Sequence, residues 1–317
     1  MLLTGNAPLD LTLPDDVHPV TIDEDAPIPT AYLDAEVAIL RGQRAAAVSQ
    51  LAAEAPALRW IQTLAAGPDG VLRAGFGPHV TVTNGRGLHS KTVAEAALAM
   101  ALAGVLRYPE AFRAQQEHRW AHAEFGAWRT LHPEGQLGSL IDTRVLIWGF
   151  GAIGVQTARL FAAMSARVRG VARSAGVREG FPVVTEADLL DELPTTDILV
   201  MVLPQEAATR NALSAERLAA LPEHAWVINV GRGTTVDQEA LNTALRTGKL
   251  GGAALDVTYP EPYPADGPLW DAPNTIILPH MAGGVAHGLH ALVSENLVRW
   301  RAGERLLNVV AGPGTPV

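Results

Sequence analysis

Short apolar runs recur along the chain, separated by longer stretches in which apolar residues return every three or four positions. Val37–Leu40, Trp60–Leu64 and Val80–Thr83 are rich in β-branched and aromatic residues and predict strands. Gln43–Ala55, between the first two, is rich in alanine and predicts a helix. Farther on, Arg144–Gly149, Val168–Ala172, Asp197–Leu203, Ala225–Val230, Ala253–Val257 and Thr275–Leu278 read as strands. Ala152–Ser165, Ser214–Ala220 and Gln238–Thr247 read as helices between them. Strands that alternate with helices cannot form hairpins, because each return crosses the sheet in a helix. The prediction is therefore an α/β fold with two doubly wound parallel-sheet domains. The first thirty residues, rich in Pro, Asp and Glu, carry only the short apolar pieces Leu11–Leu13 and Val20–Ile22.

The two strand series are joined by a long helical segment. Thr92 and Glu95 have the spacing of a capping box ahead of an apolar run that extends toward Pro109, and a second helical piece is expected over Ala111–Ala123. Ala96–Leu106 is the most apolar stretch but is too short to span a bilayer. Flanked by Glu95 and Arg107, it reads as a core or interface helix, with Val93–Leu106 suited to a two-fold contact. The tail from Gly288 to Gly303 is amphipathic and helical, and is expected to return to the first domain.

Bulk properties narrow the function. A chain of 317 residues holds two ordinary domains. Its net charge of −9 repels a phosphate backbone, and the densest arginine pair, Arg41 and Arg44, lies in a polar turn, so nucleic acid is excluded as a partner. The absence of cysteine removes disulfides and thiolate metal sites. His287 and His290 have no carboxylate pair to complete a metal set, and no metal is expected. The start of the chain lacks the basic and apolar regions of a secretory signal, so a cytoplasmic location with no membrane partner is expected.

Gly149-Phe-Gly151-Ala152-Ile153-Gly154 follows a predicted strand and opens a predicted helix. In such a Gly-x-Gly-x-x-Gly turn the first glycine makes the bend, the second lets backbone approach a pyrophosphate, and the third lets helix and strand pack. The helix start adds free N–H groups and a positive dipole end. A Rossmann dinucleotide-binding domain over residues 89–287 follows. Where an acid would hold the ribose 2′-hydroxyl of NAD, Ala172 stands, followed by Arg173 and Ser174. A guanidinium and a hydroxyl suit a 2′-phosphate, which favours NADP over NAD. An Arg173 that points into solvent beside an indifferent Ala172 is the alternative.

Three polar residues follow three later strands: Arg232 in Asn229-Val-Gly-Arg232-Gly233, Glu261 in Asp256-Val-Thr-Tyr-Pro-Glu261-Pro262, and His280 in Pro279-His280. In open α/β sheets ligands bind beyond the carboxyl ends of strands, where these residues fall. Together with Val202-Leu-Pro204, Thr209 and the loop Ala65-Ala66-Gly67-Pro68-Asp69-Gly70, these ordered motifs resemble the D-isomer-specific 2-hydroxyacid dehydrogenase family over nearly the whole chain. The resemblance implies a smaller flavodoxin-like substrate domain, residues 1–88 plus 288–317, and a homodimer. It implies that His280 is the general acid, that Glu261 holds its other ring nitrogen, and that Arg232 clamps the substrate. It implies that backbone at Ala66 and Gly67 binds the substrate carboxylate, and that Pro204, Thr209, Val230, Gly231 and Asp256 border the cofactor, Asp256 by accepting from the nicotinamide carboxamide. The activity implied is a hydride transfer between NAD(P)H and a small 2-oxo acid such as glyoxylate, hydroxypyruvate or pyruvate. Trp128 and Trp270 are candidates to border the pocket of a larger substrate.

Some positions depart from the family pattern: Gly231 replaces a frequent alanine, a change expected to be mild. Met281-Ala282-Gly283-Gly284 replaces the usual run after the histidine, and Tyr259 stands where an acid is frequent. A formate-type enzyme is disfavoured because glutamine would replace Glu261, and a phosphite-type oxidase because the Ala65–Gly67 loop lacks a cation. A dinucleotide-sensing binding protein of the corepressor type is the alternative from another class. It would carry a long tail or peptide-docking extension, which this sequence lacks.

Overall fold

The structure is a computed structural model that describes residues 2–5, 13, 17–23, 26–40, 45–125, 130–284 and 286–313. Leu11, Arg41, Gln43, Arg44 and Trp128, singled out above, lie outside the described residues. In chain order the first elements are β1 (Leu2–Thr4), β2 (Pro19–Thr21), β3 (Val37–Leu40), α1 (Ala45–Glu54), β4 (Trp60–Thr63), α2 (Asp69–Arg73) and β5 (Thr81–Thr83). Next come α3 (Ser90–Val105), α4 (Tyr108–Gln116), α5 (His122–Phe125), β6 (Arg144–Trp148), α6 (Ala152–Ala163), β7 (Arg167–Val171), β8 (Gly176–Arg178) and β9 (Phe181–Val184). Then α7 (Leu189–Glu192), β10 (Ile198–Met201), α8 (Ala215–Ala220), β11 (Trp226–Asn229), α9 (Gln238–Arg246), β12 (Gly252–Leu255) and β13 (Thr275–Ile277) lead to α10 (Leu289–Ala302) and β14 (Val309–Ala311). The chain forms two compact units, Met1–His89 with Val285–Val317, and Ser90–Gly284.

In the first unit the sheet order is β14-β5-β4-β3-β1-β2. β1 to β5 are parallel in the flavodoxin-like order 2-1-3-4-5, and β14 is antiparallel at the edge. β3 and β4 are buried at every position, as expected of central strands covered on both faces. The tail helix α10 belongs to this unit through fully buried Asn296, whose Nδ2 donates to Gln62 Oε1 at 3.0 Å and whose Oδ1 accepts from Leu307 N at 2.7 Å. Gln62 Oε1 also accepts from Thr83 Oγ1 at 2.8 Å, so β4, β5 and α10 share one buried network. Glycines in left-handed backbone, Gly288 and Gly303, bound α10 at its two ends.

In the second unit the order is β13-β12-β11-β10-β6-β7-β9-β8. From β9 to β13 all neighbours are parallel, which gives the Rossmann order 3-2-1-4-5-6 extended by one strand. Two apolar clusters fill the faces of this sheet, one around Leu146, Leu199 and Leu255, the other around Ile147, Val200 and Phe161. α3 supplies Val93, Ala97, Met100 and Ala101 to the second cluster. Its apolar character is thus accounted for within one chain, and Gly104 lies so close to Trp226 that a Cβ there would stand 2.5 Å from the indole.

Several local expectations are corrected. Thr92 and Glu95 lie inside α3, which starts at Ser90, and so do not form its cap. Arg107 in left-handed backbone ends the segment, and Pro109 stands in the first turn of α4, where its missing N–H costs nothing. The second helical piece stops at Gln116 rather than running to Ala123. β8 and β9 form an edge hairpin that the pattern did not reveal. Its two-residue loop, Glu179-Gly180, has positive φ at both positions, as type I′ hairpins need, but lacks the usual Asn-Gly or Asp-Gly signal.

Strands β6 and β10 flank the point where the strand order reverses, and their amino ends are tied by Asp197. Its buried carboxylate accepts from Arg144 N at 2.7 Å, Arg144 Nη2 at 3.0 Å and His224 Nε2 at 2.8 Å. Burial pushes the Asp197 carboxyl up, but the bonds from Arg144 and His224 outweigh it and hold its pKa below the ordinary value. A carboxyl lowered on folding contributes stability above its unfolded pKa, and that contribution is lost as pH falls through the folded value. Asp197→Ala should therefore cost about 2–4 kcal/mol at neutral pH in urea unfolding, with a weaker acid dependence of the midpoint than the parent.

Candidate active site

The glycine turn after β6 has the geometry that its three glycines predict. Gly149 has φ +106°, and a Cβ there would sit 2.5 Å from Val202 O. A Cβ on Gly154 would sit 2.4 Å from Gly149 O, so only glycine lets α6 pack this close to the strand. Gly151 faces open space, with no atom within 4 Å of where its Cβ would be. It is the cap of α6, and the first-turn N–H groups at Ala152 and Ile153 have no carbonyl of their own helix to bond. An open, backbone-walled cradle at a helix start fits a pyrophosphate.

The other expected residues divide between the two units. Arg173 and Ser174 follow β7; Arg173 is 90% exposed in its side chain and reaches Glu206 at 3.5 Å. After β10, Thr209 Oγ1 donates to Pro204 O at 2.6 Å and accepts from Glu206 N at 3.0 Å, which closes a compact loop. Val230, Gly231 and Arg232 follow β11, Asp256 and Glu261 follow β12, and His280 follows β13. All lie at carboxyl ends of parallel strands of the second unit. Ala66 and Gly67 lie in the first unit, after β4, where Ala66 O accepts from Asn84 Nδ2 at 2.7 Å.

The histidine and the glutamate meet. His280 Nδ1 and Glu261 Oε2 are 2.8 Å apart, and Glu261 Oε1 accepts from Thr258 N at 3.1 Å. The hydrogen bond to Glu261 raises the His280 pKa above its ordinary value, against burial and the nearby Arg232 charge. Burial would push Glu261 up, but the His280 bond and charge keep its pKa below the ordinary value. With Nδ1 occupied, Nε2 is the atom from which the ring can deliver or take a proton.

Arg232 is held by its own backbone. Its carbonyl accepts from Asn229 Nδ2 at 3.1 Å and Thr235 Oγ1 at 2.6 Å, and Asn229 Oδ1 accepts from Gly231 N at 3.0 Å. Gly233 brings the β11 and β12 loops into contact, since a Cβ there would fall 2.0 Å from the backbone of Thr258. Buried Asn229 and Thr235 therefore fix the arginine, roles that the linear pattern did not assign.

Asp256 is buried, and its carboxylate accepts from Met281 N at 2.8 Å and Ala282 N at 3.1 Å. Its own carbonyl accepts from His280 N at 2.8 Å. His280 has φ +54°, a left-handed conformation that costs energy in a residue other than glycine and is sustained here by these bonds. Trp270 packs on Tyr263 at 5.6 Å between ring centroids and donates from Nε1 to Pro264 O at 2.8 Å. Tyr259, exposed, lies under the Arg210 guanidinium at 5.6 Å. Among the described residues, no group of three or more His, Asp or Glu side chains is placed to hold a metal ion, and no helix is long and apolar enough to cross a membrane.

Residues 98–282 match the family described as D-isomer specific 2-hydroxyacid dehydrogenase, NAD binding domain. The chain belongs to the D-isomer specific 2-hydroxyacid dehydrogenase family. Its members are nicotinamide-dependent oxidoreductases acting on a CH–OH group, and the second unit is their NAD-binding domain. The chain is 32% identical to a glyoxylate reductase of Korarchaeum cryptofilum, over 81% of this chain and 77% of that one. The structure is similar to a family member from Xanthobacter autotrophicus in complex with NADPH and MES, with a TM-score of 0.79 and 29% identity over 97% of this chain and 98% of that one. It is also similar to an NADPH-dependent glyoxylate/hydroxypyruvate reductase of Sinorhizobium meliloti in complex with NADP and malonate, with a TM-score of 0.75 and 28% identity over 98% and 96%.

Gly231 is not the mild departure that the sequence suggested. A Cβ there would lie 2.6 Å from Leu203 O and 2.7 Å from Leu203 N, so alanine fits only if the β10 and β11 loops part. Gly231→Ala should cost about 1–3 kcal/mol in urea unfolding.

Proposed function

We propose that the protein reduces a small 2-oxo acid to the D-2-hydroxy acid with NADPH, in the manner of a glyoxylate/hydroxypyruvate reductase. The observation that carries this reading is the His280–Glu261 pair at 2.8 Å beside Arg232, at the strand ends next to a dinucleotide cradle. The relatives named for glyoxylate and hydroxypyruvate reduction support the substrate class, and those holding NADPH or NADP support the cofactor. Arg173 and Ser174, in place of an acid after β7, support it independently.

Gly149, Gly151, Ala152, Ile153 and Gly154 hold the pyrophosphate, Pro204, Thr209, Val230 and Gly231 border the rest of the cofactor, and Asp256, buried with its carboxylate on Met281 N and Ala282 N, acts through the loop it holds rather than by accepting from the nicotinamide carboxamide. When bound, the reduced nicotinamide supplies a hydride to the carbonyl carbon. Arg232 binds the anionic substrate and stabilises the negative charge that grows on the carbonyl oxygen. Backbone N–H groups at Ala66 and Gly67 take the carboxylate. His280, protonated, gives its Nε2 proton to that oxygen, and Glu261 stabilises the imidazolium and fixes the ring. Glutamate rather than glutamine at 261 favours a reaction that delivers a proton. We expect a homodimer working in the cytoplasm; exposed Tyr108, Phe112 and Trp120 support self-association, and a monomer in sedimentation equilibrium would remove that part.

His280→Ala should lower the rate of NADPH consumption with glyoxylate or hydroxypyruvate by at least about a hundredfold while cofactor binding persists. Tight cofactor binding with no turnover of any 2-oxo acid by the parent would instead favour a dinucleotide sensor. The pH profile follows from the sign of the histidine shift. Reduction needs the protonated ring, so the rate holds below the raised His280 pKa and falls as pH rises through it, above the ordinary histidine value of about 6.5. Glu261→Gln removes the carboxylate that raises it and should move this alkaline limb to lower pH.

A further inference from the structure

We propose that Arg178 is a positioning residue for cofactor choice, one that turns Ser174 into a hydrogen-bond donor and adds an unmatched positive charge where the cofactor's 2′-phosphate binds. The inference rests on the NADPH reading above and names a residue that the ribose-binding segment itself does not contain.

Arg178 ends β8, the outermost strand of the sheet, yet its guanidinium folds back over the cofactor cradle. Nη1 donates to Phe150 O at 3.1 Å, in the middle of the glycine turn. Nη2 donates to Ser174 O at 3.1 Å and to Ser174 Oγ at 2.8 Å. One planar group thus joins the loop after β6 to the loop after β7, the two loops between which the adenosine half of a dinucleotide lies. A lysine, with a single nitrogen, cannot reach both loops in this way.

Two consequences follow. First, a hydroxyl that accepts from Arg178 turns its own hydrogen outward, so Ser174 faces the ligand as a donor. A phosphate is rich in acceptors and is served by a donor. A ribose hydroxyl can also accept from Ser174, but it carries no charge and offers fewer acceptor sites, so it gains less from that donor than a phosphate does. Second, among the described residues the three oxygens that accept from Arg178 are neutral. Glu179, the next residue along the chain, is instead paired with Arg159 at 2.7 Å, and Glu206 lies 3.5 Å from Arg173. The Arg178 charge therefore adds to that of Arg173 beside Ser174, and a dianionic 2′-phosphate gains from both.

The edge hairpin thereby acquires a purpose. Gly180 and Glu179 in left-handed backbone turn the chain tightly, so that Arg178 stands opposite Phe181 on β9, the strand next to β7, and its side chain spans back to Ser174. The exposed β8, whose side chains add little to the core, serves to carry this arginine.

The test is a comparison of KM and kcat for NADPH and for NADH in the parent, Arg178→Met and Arg178→Lys, with binding of 2′,5′-ADP and 5′-AMP measured by calorimetry. Arg178→Met should raise KM for NADPH and Kd for 2′,5′-ADP by roughly tenfold to a hundredfold. KM for NADH, Kd for 5′-AMP and kcat at saturating cofactor should stay within about threefold, and Arg178→Lys should recover part of the charge effect but not the full preference. Unchanged NADH kinetics also show that the variant is folded. If the parent prefers NADPH and Arg178→Met weakens both cofactors equally, the residue only braces the glycine turn and the inference falls. If the parent prefers NADPH and neither cofactor is affected, it falls as well. If the parent prefers NADH, the NADPH reading itself is wrong and the inference goes with it.

Discussion

Asp256 is 2% exposed, and every oxygen it offers is turned toward the loop that carries His280. Its carboxylate takes the N–H groups of Met281 and Ala282, and its carbonyl takes that of His280. Left-handed backbone costs energy at a residue other than glycine, and these three bonds offset that cost at His280 while its ring meets Glu261. The meeting of the imidazole and the glutamate therefore depends on a buried charge that touches neither. The N–H groups it accepts from offset the cost of burying that charge, and the same bonds hold the loop that carries His280.

The neighbouring arginine is fixed by the same logic with different parts. Asn229, fully buried at the end of β11, holds both Gly231 N and Arg232 O, and Thr235 holds the latter again. Gly231 and Gly233 let this turn press against the loops after β10 and β12 without room for a single methyl group. Backbone contact between loops sets the spacing of Arg232 from Glu261, so the tolerance of the site is that of the sheet rather than of flexible side chains.

Much of this was legible in the sequence. Six strands of the second sheet, β6, β7 and β10 to β13, appear within a residue or two of where the apolar runs place them, because parallel strands covered on both faces leave apolar runs; β9 was not foreseen. The glycine turn was legible because each glycine answers a steric demand. The edge elements were not: β8 is exposed, β1 and β2 are three residues each, and the Glu179-Gly180 loop lacks the residues that usually mark its turn type. Thr92 and Glu95 misled because capping-box spacing also occurs inside helices, and only the preceding backbone decides where α3 starts. Asp256 acts on the backbone of Met281, 25 residues on, and Arg178 on that of Phe150, 28 residues back, which no linear spacing encodes; Asn229 acts within its own turn, on Gly231 and Arg232. Gly231 was misjudged because its neighbour, Leu203, lies on another strand's loop.

The distribution of charge ties these parts together. With a net charge of −9, the chain as a whole repels the anions that its proposed reaction uses, both cofactor and 2-oxo acid. Binding must come from local positive potential, and the second sheet gathers it at one end. The start of α6 contributes its dipole, Arg173 and Arg178 stand after β7, and Arg232 follows β11. At the opposite end, Arg144 is spent on Asp197 and Arg167 on Asp142. The cations at the amino ends of the strands are thus neutralised in structural pairs, whereas Arg178 at the carboxyl ends is left on neutral oxygens. Arg173 meets its carboxylate only at 3.5 Å, with a side chain 90% exposed. An exposed pair at that separation is weak, so under the proposed function a phosphate has little to displace at Glu206. The positive potential of the second sheet is thereby concentrated at its carboxyl end, against an acidic background.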